Sequence, residues 1–180
     1  MKNQSKNLLI AIALIAFGVL FRVLHLIPNF SPIAAIALFA GARISNKKLA
    51  VIIPLVAMLL GDLLLSKITG YPFLHDTFVF VYASFILIAF LGFTLKNSNS
   101  PVRIFGMAVS SSLLFFILTN FGVWLAGNLY PQTLEGLLTC YIKAIPYYQW
   151  TFISDVIFTA VLFSLYSILV RKTDVLFQAA

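Results

Sequence analysis

The sequence predicts an all-α membrane protein of six transmembrane helices in a single transmembrane domain covering residues 1–180, and three observations predict it. Of 180 residues, 62% are hydrophobic and 9% charged, with a mean hydropathy of +1.04, a composition that cannot fold around a dry core in water. The apolar residues fall into six runs, and the connections between them are too short for a second domain. Basic residues gather on alternate connections, as membrane topology requires.

The first run, 8–27, follows Lys2 and Lys6 in the manner of a signal peptide, but it continues through Arg22 without a small-residue cleavage site, which predicts a retained helix. The second, 32–44, spans only about 20 Å at 1.5 Å per residue, against a hydrocarbon core of about 30 Å. Ser31 and Pro32 suit its N-cap and first position, with Asn29 and Phe30 as irregular backbone below the outer surface. Its positive end would favour an anionic ligand group. The third, fourth and fifth runs are 49–68, 76–95 and 101–127. In the long connection that follows, Leu137, Leu138, Tyr141, Ile142 and Ile145 recur at helical spacing opposite Thr139 and Lys143, which predicts a short amphipathic helix over the outer face, ended by Pro146. The last run is 150–170.

With a cytoplasmic N-terminus, Lys2, Lys6, Arg43, Lys47, Lys48, Lys96, Arg103, Arg171 and Lys172 all fall on the cytoplasmic side, leaving Arg22, Lys67 and Lys143 elsewhere. The positive-inside rule therefore predicts a cytoplasmic (inner) membrane protein with both termini in the cytoplasm.

Arg22, Asp62, Asn120 and Asp155 interrupt apolar runs, and this topology puts all four in the outer half. Ionisable groups in hydrocarbon cost about 2.5–3.5 kcal/mol on insertion scales and are retained where they pair or line a cavity. Arg22, His25 and Asn29 form one stripe; Asp62 and Ser66, then Ser112, Asn120, Trp124 and Asn128, then Thr151, Asp155 and Thr159 form others, with His75 and Tyr82 on helix four. Turned toward a shared interior, they predict a polar, aromatic-rimmed solute pocket. The alternative is that Arg22 pairs with Asp62 or Asp155 and the amides knit helices together, since such contacts contribute about 0.6 kcal/mol on average. The outer aromatics Tyr71, Phe73, Tyr130, Tyr141, Tyr147, Tyr148 and Trp150 read either as interfacial anchors or as a stacking lid.

Several classes are excluded or disfavoured. Cys140 is the one cysteine and excludes an intramolecular disulfide; it reads as a packing residue, and His25 with His75 makes no metal-ligand spacing, so no metal or cofactor is predicted. The net charge of +7 is scattered between apolar runs, which argues for a membrane surface and against nucleic acid. No P-loop, dinucleotide motif, HExxH or nucleophile-base pair occurs.

The stretch FRVLHLIPNFSPIAAIALFAGARISNKKLAVIIPLVAMLLGD, from Phe21 to Asp62, resembles an uncharacterised bacterial family of small six-helix membrane proteins, as do SSSLLFFILTNFGVWLAG, YPQTLEGLLTCYIKAIPYY and TFISDVIF. More distantly, the layout is similar to the S-components of energy-coupling factor (ECF) vitamin transporters, in its six helices, Pro-Asn entry into a short second helix and Asp-bearing third helix. That resemblance implies an S-component-like bundle: a substrate-binding subunit that captures a vitamin or similar micronutrient and docks on a transmembrane coupling protein driven by ATPases. The family's Ala-x-x-x-Ala docking motif is absent from helix one, where Ile15, Phe17 and Leu20 follow four residues after Ala11, Ala13 and Ala16; Ala37 and Gly41 form the nearest small-x-x-x-small pair and are the candidate docking residues. The alternatives are an intramembrane enzyme acting on a lipid or isoprenoid with Asp62 and Asp155 as its acid-base pair, a self-contained secondary transporter, and a scaffold.

Overall fold

The computed structural model describes residues 2–24, 29–70, 72–96 and 98–178, with side chains placed within 5–171. Among these residues lie six α-helices and no strand: α1 (Lys2–Val23), α2 (Ile33–Arg43), α3 (Lys47–Thr69), α4 (Phe78–Phe93), α5 (Pro101–Ala126) and α6 (Leu134–Gln178). Four of them, α1, α3, α5 and α6, are long and apolar enough to cross a membrane. The 11 residues of α2 reach only about 16 Å, as its short apolar run predicts, whereas α4, expected to span over 76–95, is corrected to 16 residues reaching about 24 Å.

The helix ends follow local chemistry. Asn46 caps α3, its side-chain oxygen accepting from the Lys48 and Leu49 amides at 2.9 and 3.2 Å, and Gly70, at φ 72°, closes the other end in the left-handed region. Ser100 caps α5 ahead of Pro101. At α2 the expected Ser31 cap is not made: the helix opens at Ile33 with Pro32 in the cap position and no side-chain cap. Ser31 instead accepts a hydrogen bond from Arg22. Before it, Asn29 takes φ 60°, a conformation that asparagine tolerates better than most residues.

α2 is the hub. Every residue from Ile33 to Ala42 is buried, and the helix touches α1, α3, α4, α5 and α6. Its tightest neighbour is α4. A Cβ added at Gly41 would meet the Ala89 carbonyl oxygen, and one at Gly92 the Leu38 carbonyl oxygen, so the two backbones cross in direct contact. Ala37 and Gly41, the candidate docking residues, are thereby enclosed at this crossing and offer no outer surface.

The largest difference from expectation lies in α6. The predicted amphipathic segment and the last span are one continuous helix of 45 residues, with Pro146 inside it. Proline costs a helix one backbone bond, and surrounding helices support such breaks in membranes; Pro54 sits likewise within α3. The first half of α6 lies antiparallel along α5: the Cys140 thiol donates to the Asn120 carbonyl and the Tyr141 hydroxyl to the Ile117 carbonyl at 2.8 Å. Gly136, Cys140, Ala144 and Tyr148 turn toward the bundle, whereas Leu138, Ile142 and Ile145, predicted to lie on the outer face, are more than half exposed along the helix side, where acyl chains can cover them.

The α2–α4 crossing generates a prediction. Gly92→Val should lower unfolding stability in detergent by about 3 kcal/mol or more, since the clash is with backbone. Gly106→Ala, where nothing lies within 4 Å of the added carbon, should be neutral or stabilising by up to about 1 kcal/mol; chemical denaturation of both variants checks the contrast.

Candidate functional site

At one end of the bundle four elements meet around Asp62. The guanidinium of Arg22, on α1, donates to Asp62 Oδ1 from Nη2 at 2.6 Å and Nε at 3.1 Å, and from Nη1 to Ser31 Oγ at 3.2 Å. The Tyr82 hydroxyl, on α4, donates to Asp62 Oδ2 at 2.7 Å. Tyr82 is itself stacked on Phe78, with ring centroids 4.2 Å apart. Both charges are largely withdrawn from solvent, with side-chain exposures of 17% and 12%. Arg22 and Asp62 thus form the pairing foreseen as the structural alternative, and the ion pair is closed: each Asp62 oxygen has a donor, and the Arg22 charge is matched.

Beside this network lies a cavity of about 250 Å³, bordered by Arg22, Asn29, His75, Thr151, Asp155 and Phe115. His75 Nδ1 lies 2.9 Å from Thr77 Oγ1, and Thr151 Oγ1 donates to the Asn29 carbonyl at 3.1 Å. Asp155 is the exception to this self-sufficiency. It is 1% exposed, its carboxylate lies against the Ala34 and Ala35 amides and the Ser112 hydroxyl, and among the described residues no donor reaches either oxygen in good hydrogen-bond geometry. The uncapped, positive end of α2 is therefore turned toward an acidic group of the chain itself, which displaces the expectation that this end would receive an anionic ligand.

A set of buried hydroxyls accompanies Asp155. Helix-borne Ser84, Ser110, Thr119 and Ser167 all donate to the carbonyl four residues back, the usual refuge of a hydroxyl in an apolar helix. Ser111, Ser112, Ser154 and Thr159 do not; they are buried, and among the described residues none of them, nor the Tyr148 hydroxyl, has a partner in good hydrogen-bond geometry, although Ser112 lies between Tyr148 and Asp155. Their hydrogen-bonding capacity is concentrated around the α5–α6 seam at the level of Asp155.

Of the sequence-derived candidates, the structure brings Arg22, Asn29, His75 and Asp155 to one cavity and sets Asp62 and Tyr82 directly behind Arg22. His25 lies outside the described residues. Asn120 and Trp124, expected on the same cavity wall, are placed elsewhere: Asn120 Nδ2 donates to the Phe116 carbonyl of its own helix, and Trp124 Nε1 to the Pro131 carbonyl at 3.0 Å, where both serve the α5–α6 hairpin. Thr151 and Ser112 stand in the sequence only as stripe members, and no periodicity singles out the cavity position of the one or the contact of the other with Asp155. Among the described residues no cluster of three His, Cys, Asp or Glu side chains suits a metal.

If the Arg22–Asp62 pair is closed, removing one partner should cost more than removing both. Asp62→Leu alone should destabilise by about 3–5 kcal/mol, and the Arg22→Met, Asp62→Leu double variant by clearly less. Tyr82→Phe should cost about 1 kcal/mol. Equilibrium unfolding in a double-mutant cycle measures each value.

No curated protein and no solved structure matches the chain. Residues 2–176 match the model of DUF6580, described as a family of unknown function. The match over nearly the whole length places it: the chain, itself a helical bundle with several long apolar helices, belongs to the DUF6580 family.

Proposed function

We propose that the protein is a membrane-embedded solute receptor that takes up a small polar molecule from the outer side into the cavity beside Arg22 and Asp155. One observation carries the reading: Asp155 is fully buried, borders a cavity and has only the Ala34 and Ala35 amides and the Ser112 hydroxyl, all neutral and outside good hydrogen-bond geometry, near its carboxylate, whereas the neighbouring charges are matched. An uncompensated acidic group within an apolar bundle is costly unless something meets it there. The chemistry of the ligand follows from the wall. With Arg22 held by Asp62, the unmatched groups are carboxylate and hydroxyl, so the solute should present an ammonium, amide N–H or hydroxyl to Asp155 and an apolar portion to Phe115. About 250 Å³ is at the small end of ligand cavities, which suits a compact molecule.

The likeness to ECF S-components supports uptake of a vitamin-like nutrient with an ATP-driven coupling partner. A specific observation favours a second reading, a gradient-driven transporter, because a buried unpaired aspartate is also the group by which transporters carry protons. The enzyme reading is weakened, since Asp62 is engaged by Arg22 and Tyr82 instead of being poised beside a substrate.

Native mass spectrometry of gently extracted protein should show a retained small molecule in the wild type and its loss in Asp155→Asn, while the variant's melting temperature stays equal or rises, because a buried acidic group gives way to a neutral amide of the same shape. A folded wild type that never carries or binds a small molecule would overturn the reading. Uptake by proteoliposomes containing this protein alone, driven by a proton or sodium gradient, selects the transporter; a requirement for added ATPases selects the coupled receptor.

Orientation is tested separately. The charge distribution puts the α4–α5 connection in the cytoplasm and the α5–α6 connection outside. In a Cys140→Ser background, a thiol at Leu129, 79% exposed in the latter, should react with an impermeant reagent in intact cells, and one at Lys96 should not.

A further inference from the structure

A second cavity, of about 630 Å³, opens at the opposite end of the bundle, among α1, the α2–α3 and α4–α5 connections and α6. Arg43, Lys96 and Arg171 border it together with Ser45, Asn99 and Ser167, and among the described residues no acidic side chain does. Of the chain's acidic residues, Asp62, Asp76, Glu135 and Asp155 belong to the Arg22 half, and Asp174 follows Arg171 along α6.

Arg43 is built into the wall. Its Nη2 donates to the Ser98 carbonyl and to Asn99 Oδ1, both at 3.0 Å, and its guanidinium lies 4.8 Å from the Phe163 ring centroid and 5.7 Å from that of Tyr166. Its Nε is buried with no acceptor among the described residues. Every one of these partners is neutral, so the charge is fixed in position and no described acidic side chain matches it. Topology alone accounts for exposed cations such as Lys48 and Arg103. It does not account for a guanidinium immobilised in a concavity that two further cations share.

We propose that this cavity binds a phosphate-bearing anion. Three cations around one hollow repel each other, and an anion seated among them removes that cost; a guanidinium held in a fixed plane, with serine and asparagine donors beside it, matches the tetrahedral oxygens of a phosphate group. The volume falls within the range of small-molecule sites. Two sources supply this chemistry, the headgroup of an anionic phospholipid entering from the bilayer and a soluble phosphate compound entering from water. The proposal does not depend on the Asp155 cavity.

The test uses the full chain in nanodiscs of phosphatidylcholine, titrated with inorganic pyrophosphate by calorimetry, and in parallel native mass spectrometry after extraction from membranes containing phosphatidylglycerol. Saturable pyrophosphate binding, or retention of phosphatidylglycerol in preference to phosphatidylcholine, is expected, the former identifying a soluble ligand and the latter a lipid. Lys96→Gln with Arg171→Gln, both exposed positions whose loss should not disturb folding, should weaken the binding that is seen by about tenfold or more, and Arg43→Gln should do the same if that variant folds. If wild-type protein binds neither probe, or if the Lys96, Arg171 double variant binds as the wild type does, the proposal is overturned.

Discussion

A helix that begins inside the bundle must do something with its first amide groups, and α2 sets this constraint on everything around it. Its start at Ile33 carries no side-chain cap, and it lies buried within the bundle beside the Asp155 cavity. In a bilayer such a start is tolerated only where protein or a water-lined cavity satisfies the exposed donors. The fold answers by bringing Asp155 of α6 against the Ala34 and Ala35 amides. Because no donor meets that carboxylate in good hydrogen-bond geometry, the answer is largely electrostatic and leaves acceptor capacity toward the adjoining cavity. The same contact that allows a short buried helix therefore leaves reactive polarity at the bottom of a pocket.

The two acidic groups at this end illustrate how environment separates roles. Asp62 has a guanidinium on one oxygen and a phenol on the other, and the network ties α1, the segment before α2, α3 and α4 together. Asp155 has hydroxyls near it that are themselves unsatisfied. Breaking the first would leave a charge stranded between helices; altering the second removes a group whose burial is a cost to folding. The first is a fastening and the second is the feature that stability alone does not explain.

Much of this was legible from residue order because the signals were local or periodic. The brevity of the second helix followed from its length, and Arg22, Asp62 and Asp155 stood out because ionisable groups are rare in apolar runs, whereas the Asn46 and Ser100 caps went unread and the one cap expected, Ser31, is not made. What was hidden depended on partners distant in sequence. Pro146 and the polarity of the preceding segment suggested a break, but the long helix is supported by its contacts with α5 through Cys140 and Tyr141, which no spacing along α6 could show. Asn120 and Trp124 shared a stripe with Ser112, yet the stripe runs along the α5–α6 seam and away from the cavity, and both side chains find backbone acceptors there. Arg43, Lys96 and Arg171 were visible only as topology markers; their convergence on one hollow is a property of the packed helix ends.

The cavities at the two ends are separated by the body of α2 and by α6, where Ile36, Leu38, Phe39, Leu162 and Phe163 are all buried. Phe39 meets Phe163 and Tyr166 edge to face, each pair at 5.5 Å, with Arg43 over the latter two rings. Such a floor stops anything held beside Asp155 from passing through. The two sides of α2 differ in what they resist. Toward α4 the contact at Gly41 and Gly92 is backbone on backbone, with no side chain that can rotate aside. Toward α6 it consists of Asp155 against the Ala34 and Ala35 amides at one end and, further along, of aromatic side chains whose pairwise contacts contribute about 0.5–1.5 kcal/mol each and can be remade after a rotamer change.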